Sequence, residues 1–355
     1  MAGDIKDDLF SSADSSDNSR RGARKRRRGL KIFIAVLIVF VLILAGIIAA
    51  ISLYINGLSR DFDNNVTAVP SSSAFPESDR PQDSEGTTIL LLGSDQRPQG
   101  GGEGGRDGER ADSIMLLNIP ADGGEVYVMS VLRDTWVDIP GMGEAKINSA
   151  YNSGGMPLMV ETMESLFGTH IDEVMAVDFE GFEGVTDALG GVTVNVPQDF
   201  TSDDGTQFTA GPTEMDGTTA LKFVRERYAF TDSDYTRVQN QRAYIRAVLD
   251  RFLSADTLTN PGRISDTVET ISPYLTVSEG LDSGYIRGLV PKMLGTRHSD
   301  IHMFTVHTEG IGTSGDGQSI VLPDHDAMQE IGQAIDDDTL DEYFQQNGDN
   351  DGSGL

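Results

Sequence analysis

The sequence predicts an α/β domain with a mixed central sheet and helices on both faces, preceded by one transmembrane helix. The first observation behind this prediction is that strand-like runs alternate with helical patterns between residues 87 and 335, as in α/β folds. The second is a run of 20 uncharged residues at 32–51, IFIAVLIVFVLILAGIIAAI. At about 1.5 Å per residue it would span about 30 Å, the hydrocarbon thickness of a bilayer. The third is that 38% of the 355 residues are hydrophobic, enough for a buried core.

The flank before the apolar run predicts its orientation. Arg20–Lys31 reads RRGARKRRRGLK, and positive charge stays on the cytoplasmic side of a membrane. We therefore expect a cytoplasmic basic tail at 1–29, a single-pass helix in the cell membrane at 30–55, and an extracytoplasmic remainder. The alternative is a cleaved signal peptide, whose apolar region would be only about 7–15 residues long.

Two segments with little periodicity predict the limits of the folded domain. Residues 68–86, AVPSSSAFPESDRPQDSEG, are rich in Ser, Pro and Asp, so 56–86 is interpreted as an extracytoplasmic linker. The chain ends in QQNGDNDGSGL, and 336–355 is interpreted as an acidic flexible tail. The folded domain is therefore predicted at 87–335.

Within this domain, short apolar or alternating runs predict strands, and apolar residues at helical spacing predict helices. The predicted strands are Thr88–Leu92, Ser113–Ile119, Glu125–Val131, Val174–Val177, Val192–Val196 and His302–Val306. The predicted helices are Met156–Phe167, Phe179–Leu189, 217–223 with Asp216 as N-cap, Thr236–Ser254 and Asp324–Ile335. The apolar residues of Thr236–Ser254 that are expected to face inward are Val238, Ile245, Val248, Leu249 and Phe252.

Composition excludes several classes of function. The chain has no cysteine, so it has neither disulfides nor thiol chemistry. Its formal net charge is −29, which argues against a nucleic-acid partner. The sequence also lacks the Gly-Lys-Ser/Thr ending of a P-loop, a zinc-binding HExxH pattern and a GxSxG nucleophile elbow. Beyond residue 31 there are 18 basic and 51 acidic residues, so a group of arginines stands out.

Arginine and aspartate recur at the ends of the first three predicted strands, where sites of α/β sheets gather. Asp95 follows the first strand, Arg110 and Asp112 precede the second, and Arg133 and Asp134 follow the third. For any one pair, the alternative is an ordinary surface salt bridge. Three such pairs in one acidic domain favour a binding site.

Three further arginines follow later in the chain. Arg225 and Arg227 are two apart in a stretch predicted to be extended, so both would face the same side. Arg237 is expected in the first turn of the long helix, one turn before Gln241. A cation is disfavoured at that position by the helix dipole unless an anion binds there too.

Together these residues predict a site for a phosphorylated ligand. The planar fork of arginine matches phosphate oxygens, and the five arginines are Arg110, Arg133, Arg225, Arg227 and Arg237. Asp112 and Asp234 lie among them and would suit Mg²⁺ (or Mn²⁺), which takes one or two carboxylates and completes its shell with water and phosphate. Because no nucleotide motif is present, the expected ligand is a pyrophosphate other than a nucleotide.

At these residues the chain resembles the LytR–CpsA–Psr family of bacterial cell-wall enzymes. The motifs occur in the order GSDQR, R-A-D, SVLRDTWVDIPG, KINSAYNSGG, VDFEGFEGVTDALGGVTVNVP, AGPTEMDGTTALKFVRERY and DYTRVQNQR. The resemblance covers about 88–254. It implies that 87–335 is a catalytic domain with an apolar cavity for a polyprenyl tail. One departure is that the usual R-S-D reads R-A-D here, and a second is the Gly-rich stretch QGGGEGGRDG, where Arg106 is a rival for the role of Arg110.

The resemblance also implies roles for individual residues. Arg110, Arg133, Arg225, Arg227 and Arg237 match the arginines that bind pyrophosphate, and Asp112 and Asp234 match the metal ligands. Asp95, Lys146 and Gln241 match other polar pocket positions. For Lys146-Ile147-Asn148 the alternative is a simple turn.

The expected activity is that of a phosphotransferase. It would move a glycopolymer from a polyprenyl-pyrophosphate carrier to peptidoglycan and form a phosphodiester link, beside a lipid bilayer. The expected catalytic residues are Arg110, Arg133, Asp134 and Asp95, with either aspartate as the base. Two alternatives stay open: a pyrophosphatase that uses water, and a non-catalytic protein that binds lipid-linked glycans.

Overall fold

The computed structural model describes residues 53–94, 111–226, 229, 233–252, 254–289, 291–293 and 296–347. The chain divides into two units, Met1–Leu58 and Ser59–Leu355. Of the first unit, residues 53–58 are described, and they are helical. Within the described ranges, no helix has both the length and the apolar character needed to cross a membrane. The predicted transmembrane run at 32–51 lies outside these ranges and stays a prediction.

The strands largely coincide with the predicted ones. In chain order they are β1 (Thr67–Val69), β2 (Thr87–Ser94), β3 (Ala111–Ile119), β4 (Val126–Val131), β5 (Trp136–Ile139), β6 (Gly143–Lys146), β7 (Glu173–Asp178), β8 (Val192–Val196), β9 (Phe200–Thr201), β10 (Gln207–Phe208), β11 (Gly211–Met215), β12 (Leu275–Ser278), β13 (Ile301–Thr305), β14 (Thr308–Thr313) and β15 (Ser319–Pro323). All six predicted strands are confirmed, with limits that agree to within two residues.

In the described part of the chain, the central sheet has seven strands in the order β1-β12-β7-β2-β3-β4-β13. β2 pairs parallel with β7 and antiparallel with β3, and β4 pairs antiparallel with β3 and parallel with β13. The sheet is therefore mixed, as predicted. β8 lies outside it and pairs with β11 in a separate two-stranded ladder.

Helices lie on both faces of the central sheet. In chain order, the helices of the described residues are α1 (53–65), α2 (Ser71–Ala74), α3 (Asn148–Phe167), α4 (Phe179–Ala188), α5 (Gly217–Arg225), α6 (Ser233–Phe252), α7 (Ala255–Leu258), α8 (Pro261–Ile271), α9 (Ser283–Leu289), α10 (His325–Asp336) and α11 (Leu340–Asn347). Side chains alternate along β2: Leu90 and Leu92 join a core with α3 and α10, whereas Ile89 joins a second core with β12 and α9. The predicted layers of helix, sheet and helix are thus confirmed.

Local chemistry accounts for the ends of these helices. Asp216 caps α5 as predicted, because its carboxylate accepts the N–H of Thr219 at 2.8 Å. α3 ends at Gly168, whose φ of 74° favours glycine. α3 begins eight residues before the predicted start at Met156, and its two parts meet at Gly155, which has a φ of 65° and precedes Pro157.

The interpretation of 56–86 as a linker is wrong for most of that segment. β1 adds to the central sheet by pairing parallel with β12, and Ala74 is completely buried in the main core. Arg80 pairs with Glu164 of α3 at 2.7 Å, and its guanidinium lies over the Phe75 ring at 4.5 Å. A run rich in Ser and Pro therefore folds onto the domain, because a few apolar side chains and one ion pair fix it.

The interpretation of 336–355 as a flexible tail is also wrong for α11. Leu340 is buried in the main core, and Tyr343 and Phe344 pack against it. The ring of Phe344 lies 4.5 Å from that of His302 on β13. The spacing of 340, 343 and 344 is the helical i, i+3, i+4 pattern, a signal in the sequence that the acidic composition obscured.

Candidate active site

One edge of the central sheet brings together the strand ends that the sequence predicts as a site. β2 ends at this edge with Ser94, and the parallel strand β7 ends there with Asp178. β3 is antiparallel to both β2 and β4, so its start at Ala111 and the end of β4 at Val131 also lie at this edge. Asp112 and Arg133 are consequently neighbours across adjacent strands.

Arg133 is held by two carboxylates. Its Nη1 donates a short hydrogen bond to Asp112 Oδ1, and its Nε lies 3.7 Å from Asp134 Oδ2. Asp134 Oδ1 in turn lies 3.1 Å from Lys146 Nζ. The Arg133 side chain is 8% exposed, so its guanidinium is fixed in one orientation. We call Asp112, Arg133, Asp134 and Lys146 the arginine cluster.

The backbone around the cluster is braced by two other elements. The Asn148 N–H donates to Arg133 O at 3.2 Å, and the Ile147 N–H donates to Thr135 O at 2.8 Å, which ties the start of α3 to the cluster. On the other side, the Val321 N–H of β15 donates to Asp134 O at 2.9 Å. Arg133 and Asp134 therefore lie on a short loop whose position is set by α3 and by the β14–β15 hairpin.

A polar cavity of about 340 Å³ opens beside the cluster. It is lined by Arg133, Asp134, Lys146, Asn148, Ser149, Asn152 and Gln318. Lys146 thus lines a cavity, and its role in binding stays a prediction. The KINSAYNSGG motif includes three of the lining residues, Asn148, Ser149 and Asn152, so the sequence motif pointed to this part of the cavity. Gln318 comes from the β14–β15 hairpin, and no feature of the sequence pointed to it.

Helix α6 contributes buried polar side chains near the cluster. Its residue Val238 packs with Leu132 and Val321, next to Arg133. Arg237 is 2% exposed and Gln241 is 5% exposed. The two residues are one helical turn apart, as the sequence predicts, and both are buried. The helix begins at Ser233, however, so Arg237 lies in its second turn. The expectation that Arg237 lies in the first turn is therefore wrong, and its contact with an anion stays a prediction.

The inward face of α6 largely agrees with the prediction. Val238 is buried, and Ile245, Val248 and Phe252 are partly buried and pack against a core that contains Tyr244 and Ala247. Leu249 is also partly buried. The most buried positions further along the helix include Asn240, Gln241 and Tyr244. The Tyr244 hydroxyl hydrogen-bonds the Thr186 hydroxyl of α4 at 2.7 Å. The first half of α6 therefore buries polar side chains in addition to the predicted Val238.

The stretch around Arg225 is helical, which corrects the expected extended segment. Arg225 is the last residue of α5 and is exposed. Glu226 is buried, and its carboxylate accepts the N–H groups of Asp203 at 2.9 Å and Ala229 at 3.1 Å. The alternation argument for Arg225 and Arg227 is wrong, because a helix ends between them.

Several predicted site residues cannot be placed in this geometry. Asp95, Arg110 and Arg227 lie outside the described residues. Asp234 lies in the first turn of α6, and its side chain is outside the description. Their roles stay predictions, as does the apolar cavity for a polyprenyl tail.

A divalent cation is chemically compatible with the cluster. Asp112 keeps a carboxylate that is 21% exposed, so a hydrated cation can approach it beside Arg133. One or two carboxylates with phosphate oxygens form a set of ligands that suits Mg²⁺. Elsewhere in the described structure, Asp83, His170 and Asp172 have ligand atoms within 4.8 Å of one another. That group lies at the opposite sheet edge, because Asp172 Oδ2 accepts the N–H of Thr88 at the start of β2, 2.6 Å away.

Comparison with known proteins decides the family. The model of the LytR_cpsA_psr family matches residues 52–336. The chain belongs to the LytR–CpsA–Psr family. The match begins at residue 52, just before α1, and so includes residues 59–86, which fold as part of the domain.

Related sequences and structures support the assignment to the LytR–CpsA–Psr family. A protein of Oceanobacillus iheyensis named polyisoprenyl-teichoic acid–peptidoglycan teichoic acid transferase TagU is 32% identical over 85% of this chain and 92% of its own length. The cell wall biosynthesis protein LcpA of Corynebacterium glutamicum is 26% identical over 67% of this chain and 53% of its own. The crystal structure of B. subtilis TagV aligns with a TM-score of 0.60 at 25% identity, covering 73% of this chain and 98% of TagV.

Proposed function

We propose that the protein is a phosphotransferase that moves a glycopolymer from a polyprenyl-pyrophosphate carrier to peptidoglycan and forms a phosphodiester link. The observation that carries the proposal is the braced Arg133 beside a polar cavity, in a chain that matches a named teichoic acid transferase over most of both lengths. The carrier's pyrophosphate bond supplies the driving force, so the reaction needs no nucleotide.

Charge supports this assignment of substrate. The chain carries a net charge of −29, yet Arg133 and Lys146 border one cavity and Arg237 is buried on the neighbouring helix. Phosphoryl transfer depends mainly on positioning and on donors aimed at the charge of the transferring group. Arg133 and Lys146, with Arg110, Arg225, Arg227 and Arg237 as further candidates, would supply these donors.

The reaction we propose is a displacement at phosphorus. A hydroxyl of a peptidoglycan sugar attacks the phosphorus linked to the glycopolymer, the P–O bond to the second phosphate breaks, and polyprenyl phosphate leaves. Asp134 borders the cavity and lies between Arg133 and Lys146, so its carboxylate would accept the proton of the attacking hydroxyl. Asp95 is the second candidate base from the sequence.

Mg²⁺ (or Mn²⁺) is part of the proposal. Asp112, and Asp234 on the first turn of α6, would hold the cation beside the arginines. When bound, the cation neutralises negative charge on the phosphate oxygens. We expect a chelator to abolish transfer by the purified protein, Mg²⁺ or Mn²⁺ to restore it, and Asp234→Asn to reduce it. Full transfer in chelator would reject the cation while leaving the arginines in place.

The proposed location is outside the cytoplasm, on a membrane anchor formed by 30–55. The basic flank Arg20–Lys31 supports this orientation. A reporter enzyme that works only outside the cytoplasm, fused after Leu355, should be active. Activity of a cytoplasmic reporter at the same position would contradict the orientation.

The decisive experiment follows the fate of a label. Full-length protein in detergent is incubated with peptidoglycan and a polyprenyl-pyrophosphate glycan labelled in the glycan. Transfer predicts label on peptidoglycan together with released polyprenyl phosphate. Label released into solution without peptidoglycan would instead identify a pyrophosphatase, and binding without turnover would identify a non-catalytic glycan-binding protein.

A further inference from the structure

The side chain of Asn240 on α6 is buried, but it makes no hydrogen bond with the described residues. Its side chain is 1% exposed, and neither Oδ1 nor Nδ2 has a hydrogen-bond partner among the residues that the structure describes. The next residue, Gln241, is 5% exposed, and its Oε1 likewise has no partner within the described structure. Two adjacent amides of one helix therefore have buried carbonyl oxygens that accept no hydrogen bond from the described residues.

Such an arrangement is unfavourable in a protein that binds nothing. A buried polar group without a hydrogen bond costs about 1–3 kcal/mol, and few are found per hundred residues in folded proteins. Leucine has nearly the shape of asparagine and a higher helix propensity. An amide at this position is therefore costly for folding and is explained by a partner from outside the chain.

The position of Asn240 connects it to the candidate active site. It lies three residues after Arg237 and four before Tyr244, and residues at these spacings share one helix face. Val238 anchors this half of α6 on Leu132 and Val321 beside the arginine cluster. Tyr244 reaches the Thr186 hydroxyl of α4 at 2.7 Å. Asn240 thus lies one helical turn along from Arg237, between the cluster and α4.

Hydrogen-bond chemistry restricts what the partner is. The oxygens Asn240 Oδ1 and Gln241 Oε1 are acceptors and need a donor. The ionised oxygens of a pyrophosphate are acceptors only, and a polyprenyl tail has neither donors nor acceptors. A sugar hydroxyl donates one hydrogen bond and accepts others, so it matches both the Oδ1 and the Nδ2 of Asn240.

We infer that Asn240, together with Gln241, binds a hydroxyl of the sugar next to the pyrophosphate of the lipid-linked glycopolymer, an inference that rests on the proposed function. Arg237 and the arginine cluster bind the pyrophosphate, and Asn240 distinguishes a carrier loaded with sugar from the bare carrier. This is a specificity contact, and it predicts unequal effects on two ligands that share the same pyrophosphate and tail.

The test compares those two ligands on three proteins. Full-length wild type, Asn240→Leu and Asn118→Leu are titrated in detergent with polyprenyl pyrophosphate and with the same lipid carrying a glycan. Asn118 is the matched control, since it is also buried but donates to Thr88 Oγ1 at 3.2 Å, far from the site edge. We expect Asn240→Leu to weaken binding of the glycan lipid about tenfold, the value of one or two lost hydrogen bonds. Binding of the sugar-free lipid should not change.

Thermal melts without ligand complete the design. Asn240→Leu should keep or raise Tm, because an isosteric apolar side chain removes the cost of the unused amide. Asn118→Leu should lower Tm and leave the ratio of the two affinities unchanged. Equal weakening for both lipids, no weakening, or a lower Tm for Asn240→Leu would each overturn the sugar contact and leave the transfer proposal standing. Failure of wild type to bind either lipid would overturn both.

Discussion

The guanidinium of Arg133 is buried and is held in place by two carboxylates. Asp112 and Asp134 together balance the charges of Arg133 and Lys146, because Lys146 shares Asp134 with Arg133. Removing one partner from such a buried pair leaves an uncompensated charge and typically costs about 3–5 kcal/mol. The cluster is therefore a preorganised set of donors, because its geometry is fixed before any ligand binds.

Arg133→Lys tests that preorganisation. Lysine keeps the charge near Asp112 but loses the planar fork, and loss of one donor at a developing charge typically lowers the rate about 10²–10³-fold. We expect a folded protein that transfers glycan to peptidoglycan at that reduced rate. Arg263→Lys is the control, because Arg263 forms an exposed pair with Asp256 at 2.7 Å. Near-normal transfer by Arg133→Lys at unchanged Tm would reject the bidentate role.

Glu226 supports the backbone after α5, and its replacement should affect stability first. Both carboxylate oxygens accept backbone N–H groups, from Asp203 and Ala229. Glu226→Gln substitutes an NH₂ donor for one of these acceptors, so we expect a loss of about 1–3 kcal/mol in the free energy of unfolding, measured with urea. Glu214→Gln, at an exposed position of β11, should be neutral. An unchanged midpoint for Glu226→Gln would contradict the role of this carboxylate.

At the scale of elements, hydrophobic periodicity predicted the strands and helices that bury apolar side chains. β3 and β4 were identified from their apolar runs, and Asp216 identified the start of α5. The end of α5 was misplaced because no Gly or Pro marks it, although Lys222 and Arg225 in its last turn match the preference for cations at a helix C-terminus. In α6 the apolar spacing predicted the packing of Ile245, Val248 and Phe252 on a core. It gave no signal for Asn240, because the buried side chain of Asn240 is polar.

The N-cap of α10 gives a prediction that depends on pH. Asp324 accepts the N–H of Ala327 at 3.0 Å and lies 2.8 Å from His307 Nδ1. The hydrogen bond from Ala327 and the nearby His307 lower the pKa of Asp324. A lowered folded-state pKa means that the stabilisation is complete above the unfolded pKa of about 3.9 and is lost as pH falls through the folded value.

Asp324→Ala should therefore lower the free energy of unfolding by about 0.5–2 kcal/mol at pH 7. The difference from wild type should shrink as the pH is lowered below about 4, because protonated Asp324 caps α10 less well. Urea unfolding at a series of pH values measures this difference. Glu330→Ala, at an exposed position of the same helix, should show no such trend. A difference independent of pH would contradict capping by the carboxylate.

At the scale of the molecule, the chain folds segments that its composition assigns to linkers. The short strand β1 contributes few apolar side chains. It pairs with β12, more than 200 residues later, so its sequence carries no local pattern that would predict a strand. A contact between residues far apart in the sequence likewise brings Gln318 of the β14–β15 hairpin to the cavity beside the arginine cluster. The ends of predicted strands located Asp112, Arg133 and Asp134, and the resemblance through the KINSAYNSGG motif located Lys146. Parts of the site that depend on such distant pairing could be found only in the fold.

Two truncations test where the domain ends. Ending the chain after Thr339 removes α11, and with it the burial of Leu340 and the packing of Tyr343 and Phe344 on the main core. At about 1.5–3 kcal/mol for a fully buried apolar side chain, and less for the two that are partly exposed, the expected loss is about 3–6 kcal/mol. Ending the chain after Asn347 leaves all these contacts and serves as the control. Urea unfolding of both proteins measures the difference. If the shorter protein is as stable as the longer one, α11 is not part of the core, and the limit near residue 335 that the acidic composition suggests is the correct one.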